Sequence, residues 1–244
     1  MKSIIKRAAR KLGYEIKRVP AFSADPEYQV VRPVATYSPW NTDTAFRDAY
    51  SIAEASTLVD IYRCYEIWTL VEQVSKLSSG SLIEIGVWKG GTGVLIAKQA
   101  ERCRITEKVF LCDTFAGVVK AGPDDTFYKG GEHADTSLEA VQDLIKDQAL
   151  SNVEILQGVF PEETGIAIED VSFRFCHIDV DVYQSAEDIL DWVWDKMVAG
   201  GVVVYDDFGF DECRGIVKHV KRQASLNERL VIHNLNGHAV LIKL

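Results

Sequence analysis

Two apolar runs of strand length stop abruptly in carboxylates. Residues 173–178 run into Asp179-Val180-Asp181, and residues 202–205 run into Asp206-Asp207. Short, largely apolar runs like these read as buried strands of a parallel sheet. From about residue 80 onward the chain alternates between such runs and segments of helical period. The pattern predicts strands at 81–85, 108–112, 153–156, 173–178, 202–205, 230–233 and 239–242. It predicts helices at 92–101, 137–148, 186–197 and 212–224. Strand and helix in alternation mean right-handed crossovers. The last two strands are separated only by 234–238, where Asn236-Gly237 is a turn signal, so they form an antiparallel hairpin. The expected fold is α/β: a Rossmann-like, seven-stranded, mostly parallel sheet with helices on both faces and an antiparallel C-terminal hairpin.

The first part of the chain reads differently. Ile4, Ile5, Ala8, Ala9 and Leu12 recur at helical spacing with Lys and Arg between them, and Gly13 ends the pattern. This is a short basic amphipathic helix over 2–12. One short helix is a weak membrane anchor, so docking on the body or on a partner subunit is the expectation over contact with an anionic surface. Residues 19–42 hold Pro20, Pro26, Pro33 and Pro39 with Tyr28, Tyr37 and Trp40, an irregular lead-in. A helix is expected over 46–53. Thr57-Leu58-Val59-Asp60 looks like a capping box that starts a long helix to about Leu77, with Leu58, Ile61, Tyr62, Tyr65, Leu70 and Val74 on one face. Ser185-Ala186-Glu187-Asp188 looks like another. The expected division is an extension over 1–52 and a catalytic-type domain over 53–244.

Composition narrows the function. The 244 residues carry a net charge of −9, which argues against a nucleic-acid-binding face. Residues 1–19 have seven basic groups against Glu15, a net +6, so the rest of the chain carries −15. Cys64, Cys103, Cys112, Cys176 and Cys213 are scattered without a C-x-x-C pair, which reads as reduced thiols and not a zinc site. No apolar run has the length of a membrane span, and no apolar region follows the basic start. A cytoplasmic location is expected.

In open α/β sheets ligands sit beyond the carboxyl ends of the strands. If the two acid-ended strands are neighbours, Asp179, Asp181, Asp206 and Asp207 converge there. Four carboxylates do not crowd together without a cation or a shared proton. Oxygen donors suit Mg²⁺, Mn²⁺ or Ca²⁺. The bland alternative is that these acids cap helices and face water. The first strand runs into Gly86-Val87-Trp88-Lys89-Gly90-Gly91-Thr92, a glycine-rich turn of the kind that cradles a nucleotide. Trp88 stands where the second glycine of a dinucleotide fingerprint belongs, and Thr92 stands where a P-loop needs Lys. Asp113 ends the second strand, where an acid can grip both hydroxyls of a ribose. His177 and His133 are further candidate bases. His177 lies within an apolar strand, where a satisfied core group is the ordinary reading, and His133 lies in a glycine-containing loop.

The Glu84-Ile85-Gly86 spacing resembles motif I of class I S-adenosylmethionine-dependent methyltransferases. With it, in order, come Asp113-Thr114-Phe115-Ala116-Gly117, Ile178-Asp179-Val180-Asp181-Val182-Tyr183-Gln184-Ser185 and Gly200-Gly201-Val202-Val203-Val204-Tyr205-Asp206-Asp207-Phe208-Gly209. From about Ala53 onward the chain resembles the macrocin O-methyltransferase family, metal-dependent enzymes that methylate sugar hydroxyls. The resemblance implies S-adenosylmethionine and Mg²⁺ or another divalent cation as cofactors. It implies Asp179, Asp206 and Asp207 as metal ligands, Asp181 as general base and Asp179 in catalysis and cofactor contact as well. Glu84 would hold the methionine end, with Gly86, Val87, Gly90, Gly91 and Thr92 around the cofactor and Phe115 beside Asp113. Gln157 and Gly158 would edge the adenine, and Thr57, Leu58 and Arg63 would belong to a helix that closes over it. Val180 departs from the glycine common there, and the N-terminal segment maps onto nothing in the family. The implied acceptor is a small-molecule glycoside or polyol, and a homo-oligomer is expected. The alternatives are a catechol-like diol acceptor, a nicotinamide-dependent oxidoreductase, and a binding module without catalysis.

Overall fold

The computed structural model describes residues 25–31 and 35–244. The basic helix expected over 2–12 and much of the proline-rich lead-in lie outside the described residues. Residues Ala35–Leu244 form one compact unit. Its elements, in order, are α1 (Thr44–Ala53), α2 (Ile61–Val74), β1 (Ser81–Ile85), α3 (Gly91–Arg102), β2 (Val109–Asp113), α4 (Leu138–Asp147), β3 (Val153–Gln157), β4 (Phe173–Ile178), α5 (Tyr183–Val193), β5 (Met197–Tyr205), α6 (Arg214–Gln223), β6 (Arg229–His233) and β7 (Ala239–Lys243).

The seven strands form one sheet in the order β3-β2-β1-β4-β5-β7-β6. β1 to β5 are parallel, and β7 is antiparallel to both β5 and β6, as the hairpin signal predicts. The chain order reverses between β1 and β4, which opens a crevice at their carboxyl ends. Successive strand residues feed opposite faces. Ile83, Phe110, Cys176 and Val203 pack with α5 and α6, whereas Leu82, Leu111, Phe175 and Val204 pack with α2, α3 and α4. That double coverage is why β1 and β4 carry apolar residues on both faces without regular alternation, and both are buried along their whole length. A third cluster joins α1, α2 and α3 through Phe46, Trp68 and Leu95.

Both expected capping boxes give way to other caps. The N-cap of α2 is Asp60, whose carboxylate accepts from Tyr62 N at 2.9 Å and Arg63 N at 3.2 Å. Thr57 Oγ1 instead accepts from Val59 N at 3.0 Å in the segment before the helix. The buried face of α2 carries Cys64, Ile67, Trp68, Val71 and Val74, while Leu58 and Tyr62 are 64% and 54% exposed. Apolar residues nearly encircle this helix, so periodicity alone leaves two candidate faces. α5 starts at Tyr183, ahead of Ser185, and ends at Val193. Ser185 Oγ donates to Val119 O at 2.9 Å, and the first amide of the helix, Tyr183 N, is capped from a distant loop by Asp125 Oδ1 at 2.9 Å. β5 begins at Met197 where a helical end was expected, with a register irregularity against β4.

Candidate active site

The crevice holds a cavity of about 470 Å³ above the ends of β1, β2, β4 and β5. Its first wall is the turn after β1. Gly86 adopts φ +89° and donates its N–H to Cys112 O at 3.0 Å. A Cβ at Gly86 would overlap the Asp179 carbonyl oxygen and stand 2.7 Å from its carbon, so the turn and the acid-bearing strand end touch directly. Gly86→Ala combines left-handed strain with this overlap, and about 3 kcal/mol of lost stability is expected in chemical denaturation. Gly90, at φ +87°, is the N-cap of α3, and Gly91 donates to Ser56 O at 2.9 Å. That bond seats residues 56–59 against the turn and brings Thr57 and Leu58 to the cavity wall with Val87 and Thr92.

Asp113 lies at the wall beside Gly158. Its Oδ2 accepts from Val87 N at 2.6 Å and Trp88 N at 2.8 Å, and its Oδ1 accepts from Phe115 N at 2.6 Å. These bonds fix the carboxylate in the crevice while leaving acceptor capacity on both oxygens. Glu84, Gly90, Gly91, Phe115 and Gln157 do not line the cavity. Phe115 packs against the core, and Gln157 is exposed at the end of β3. Glu84 is fully buried, with Oε1 2.9 Å from His177 Nδ1 and Oε2 without a hydrogen-bond partner among the described residues.

The acids of β4 and β5 do meet. Ile178 pairs with Tyr205, so Asp179 and Asp206 leave adjacent strands side by side. Asp179, Asp206 and Asp207 each offer an oxygen within 4.8 Å of the others'. Burial, then the Asp206 charge, pushes Asp179 well above the usual carboxylate range. Burial, then Asp181, Asp179 and Asp206, does the same to Asp207. Asp206 goes the other way. Burial opposes its charge, but the His177 and His238 imidazoles and the Arg63 guanidinium more than offset that. Arg63 Nη1 pairs with Asp206 Oδ2, and His238 Nε2 lies 2.9 Å from Oδ1. Asp181, also on the cavity wall, has φ +65°, a left-handed conformation uncommon outside glycine. Its backbone N–H donates to Asp207 Oδ2 at 2.8 Å, and burial raises its carboxyl pKa. Around that carboxyl stand the Tyr128 hydroxyl, Cys213 Sγ at 3.6 Å and His133 Nε2 at 4.0 Å.

His177 does not face the cavity as a base. It is wholly buried beneath the acids, where burial works against its charge but Asp206 and Glu84 hold its pKa up to about 10. His133 and Tyr128, from the 114–137 loop, do reach the cavity. Sequence patterns point to none of Glu66, Tyr128, Cys213 or His238. For His238 a signal existed. It immediately precedes Ala239, which pairs with Tyr205 in the antiparallel ladder, so the hairpin register puts it beside Asp206. Loop residue Tyr128 has no periodic pattern to reveal it.

A sheet of this order, with a glycine turn after β1, an acid after β2 and an antiparallel last strand, is the Rossmann-like fold of S-adenosylmethionine-dependent methyltransferases. The fold matches the solved O-methyltransferase NovP with a TM-score of 0.66 at 24% identity, covering 77% of this chain and 82% of that one. Among curated proteins the chain is 27% identical over 203 residues to demethyldecarbamoylnovobiocin O-methyltransferase of Streptomyces niveus, covering 76% of this chain and 75% of the relative. It is also 27% identical over 193 residues to 8-demethyl-8-(2,3-dimethoxy-alpha-L-rhamnosyl)-tetracenomycin-C 4'-O-methyltransferase of Streptomyces olivaceus, covering 75% and 73%. The model of the macrocin-O-methyltransferase (TylF) family matches residues 40–242, and the chain belongs to that family. The nicotinamide-dependent alternative falls with this assignment. No helix among the described residues is long and apolar enough to cross a membrane.

Proposed function

We propose that this enzyme methylates a sugar hydroxyl of a small-molecule glycoside, with Asp179, Asp206 and Asp207 holding a divalent cation such as Mg²⁺ and Asp181 acting as general base. The observation that carries the reading is the convergence of two buried carboxylates, Asp206 and Asp207, with the half-buried Asp179 beside the glycine turn. Burial and the neighbouring carboxylates together push Asp179 and Asp207 toward their neutral forms, and a hard cation offsets both effects, so the donor set fits the ion. The relative named for 4'-O-methylation of a rhamnosyl tetracenomycin supports a sugar acceptor.

S-adenosylmethionine supplies an electrophilic methyl group, and the protein's task is orientation and activation of the acceptor. A divalent cation supplies the positive charge that lowers the pKa of an alcohol otherwise too weakly acidic to react. Asp113 accepts from ribose hydroxyls with the lone pairs its backbone bonds leave open. Gly86 and Gly158 line the cavity beside it, and residues 56–59 cover the cofactor side. Asp181, bonded through its N–H to Asp207 and standing beside Tyr128 and His133, takes the acceptor proton.

The test uses purified protein, S-adenosylmethionine and rhamnosyl glycosides, read as the mass gain of one methyl group. Transfer is expected to stop in EDTA and return with Mg²⁺, while calorimetry finds cofactor binding intact in the chelator. Transfer undiminished in EDTA sinks the cation reading. A preference for catechols over every glycoside tested sinks the acceptor reading.

A further inference from the structure

We infer that Glu66 and His238 are a positioning pair that fixes the Asp206 carboxylate for the cation, which makes the C-terminal hairpin part of the active-site support. The inference rests on the reading of Asp206 as a cation ligand.

Asp206 is 3% exposed, and each of its oxygens is held by a different part of the chain. Arg63, from α2, takes Oδ2. His238, fully buried and one residue ahead of β7, takes Oδ1 through Nε2 at 2.9 Å. The other ring nitrogen of His238 lies 2.7 Å from Glu66 Oε2. Glu66 is held in turn by the hairpin itself. Asn234 Nδ2 donates to its Oε1, and Asn236 Nδ2 donates to its Oε2 at 2.7 Å. Asn236 Oδ1 then accepts from His238 N at 3.0 Å, which closes a loop of bonds around the imidazole.

A carboxylate–imidazole pair pressed on a ligand carboxylate is how proteins fix a ligand's orientation. Loss of such a partner typically costs about 10–100-fold in metal affinity. His177 approaches the same Oδ1 from the other side, but its Nε2 stands 3.6 Å away and makes no hydrogen bond among the described residues. His238 is therefore the imidazole that orients Asp206. Neither Glu66 nor His238 lines the cavity. They act through Asp206 and not on substrate.

Two substitutions at one position separate positioning from bulk structure. A Gln amide reaches the place of the imidazole Nε2 and an Asn amide the place of Nδ1. His238→Gln thus keeps a donor to Asp206 and gives up Glu66, while His238→Asn keeps Glu66 and gives up Asp206. Both remove the ring and any charge it carries. Mn²⁺ affinity is measured by calorimetry and electron paramagnetic resonance without acceptor, and S-adenosylmethionine affinity is measured in parallel. His238→Asn is expected to weaken Mn²⁺ about 10–100-fold with cofactor affinity unchanged, and His238→Gln, which gives up only Glu66, to weaken it by less. Glu66→Gln, which leaves the histidine in place, is expected to weaken Mn²⁺ in the same direction by less. Equal losses in the Asn and Gln variants, or wild-type affinity in the Asn or Glu66→Gln variants, overturn the inference. If the wild type takes up no Mn²⁺, or takes it up equally with Asp207→Asn, the cation reading fails and the inference falls with it. That failure appears in proteins whose His238 is untouched, so the two outcomes are distinct.

Discussion

Asp207→Asn is expected to lower kcat by about 10³-fold, the several kcal/mol that a lost catalytic cation represents. Cofactor affinity is expected to survive, because Asp207 belongs to the acid cluster and Asp113 to the ribose side. The side chain is 6% exposed, and its Oδ2 accepts the Asp181 amide at 2.8 Å. Asn has the same shape and its carbonyl can keep that bond, so the change removes charge and little else. The sign of the stability effect follows from the raised pKa. Burial, then Asp181, Asp179 and Asp206, disfavours the ionised form in the folded state. A carboxyl whose folded pKa is raised binds more protons folded than unfolded, so it stabilises the fold at low pH and destabilises it above that pKa. Asn mimics the protonated form. In metal-free buffer near neutral pH the variant is expected to melt at or above the wild-type Tm. Catalytic death with undiminished Tm and intact S-adenosylmethionine binding is the expected signature. Normal turnover with normal Mg²⁺ dependence would refute the assignment of Asp207.

Asp181→Asn is expected to lower kcat by about 10²–10⁴-fold, the range for a general base, with Mn²⁺ and cofactor affinities unchanged. Asn tolerates the left-handed φ of +65° that this position requires, so the backbone is kept. Burial raises the Asp181 pKa, against the opposing pull of Tyr128, His133 and Cys213. A base must be deprotonated to act, so the acidic limb of the wild-type kcat profile is expected above the ordinary carboxylate range. That limb is expected to vanish in the variant, leaving a low, flat rate. The comparison with Asp207→Asn is the informative one. If Asp181→Asn also sheds Mn²⁺, Asp181 is a ligand and the base lies elsewhere, with His133 the nearest candidate at 4.0 Å.

How much of this was legible in the chain depends on which forces set each feature. β1 and β4 were readable to the residue because helices cover both faces of the sheet, so apolar residues fill both faces and the few polar positions are themselves buried. The hairpin was readable because Asn236-Gly237 is a local solution to a tight turn. The start of α2 was misread by three residues although its cap, Asp60, is local, whereas the start of α5 was misread because its cap is tertiary. Nothing near Tyr183 in sequence announces that Asp125 will cap it, and Ser185, which looks like a cap, bonds to Val119 instead.

The sequence by itself determined the class of sheet, the placement of the acids at strand ends and the glycine turn that excludes a dinucleotide or triphosphate clamp. These follow from periodicity and from the backbone freedom of glycine, both local in origin. Only the tertiary structure decided how the acids differ. Asp179 and Asp207 are pushed toward their neutral forms, while Asp206 is held ionised by Arg63, His177 and His238 from three other elements. The same strand order turned Glu84 inward onto His177, away from the cavity wall. A carboxylate's charge state is set by whatever surrounds it in space, and residues 143 and 32 positions away in the chain leave no local pattern at Asp206.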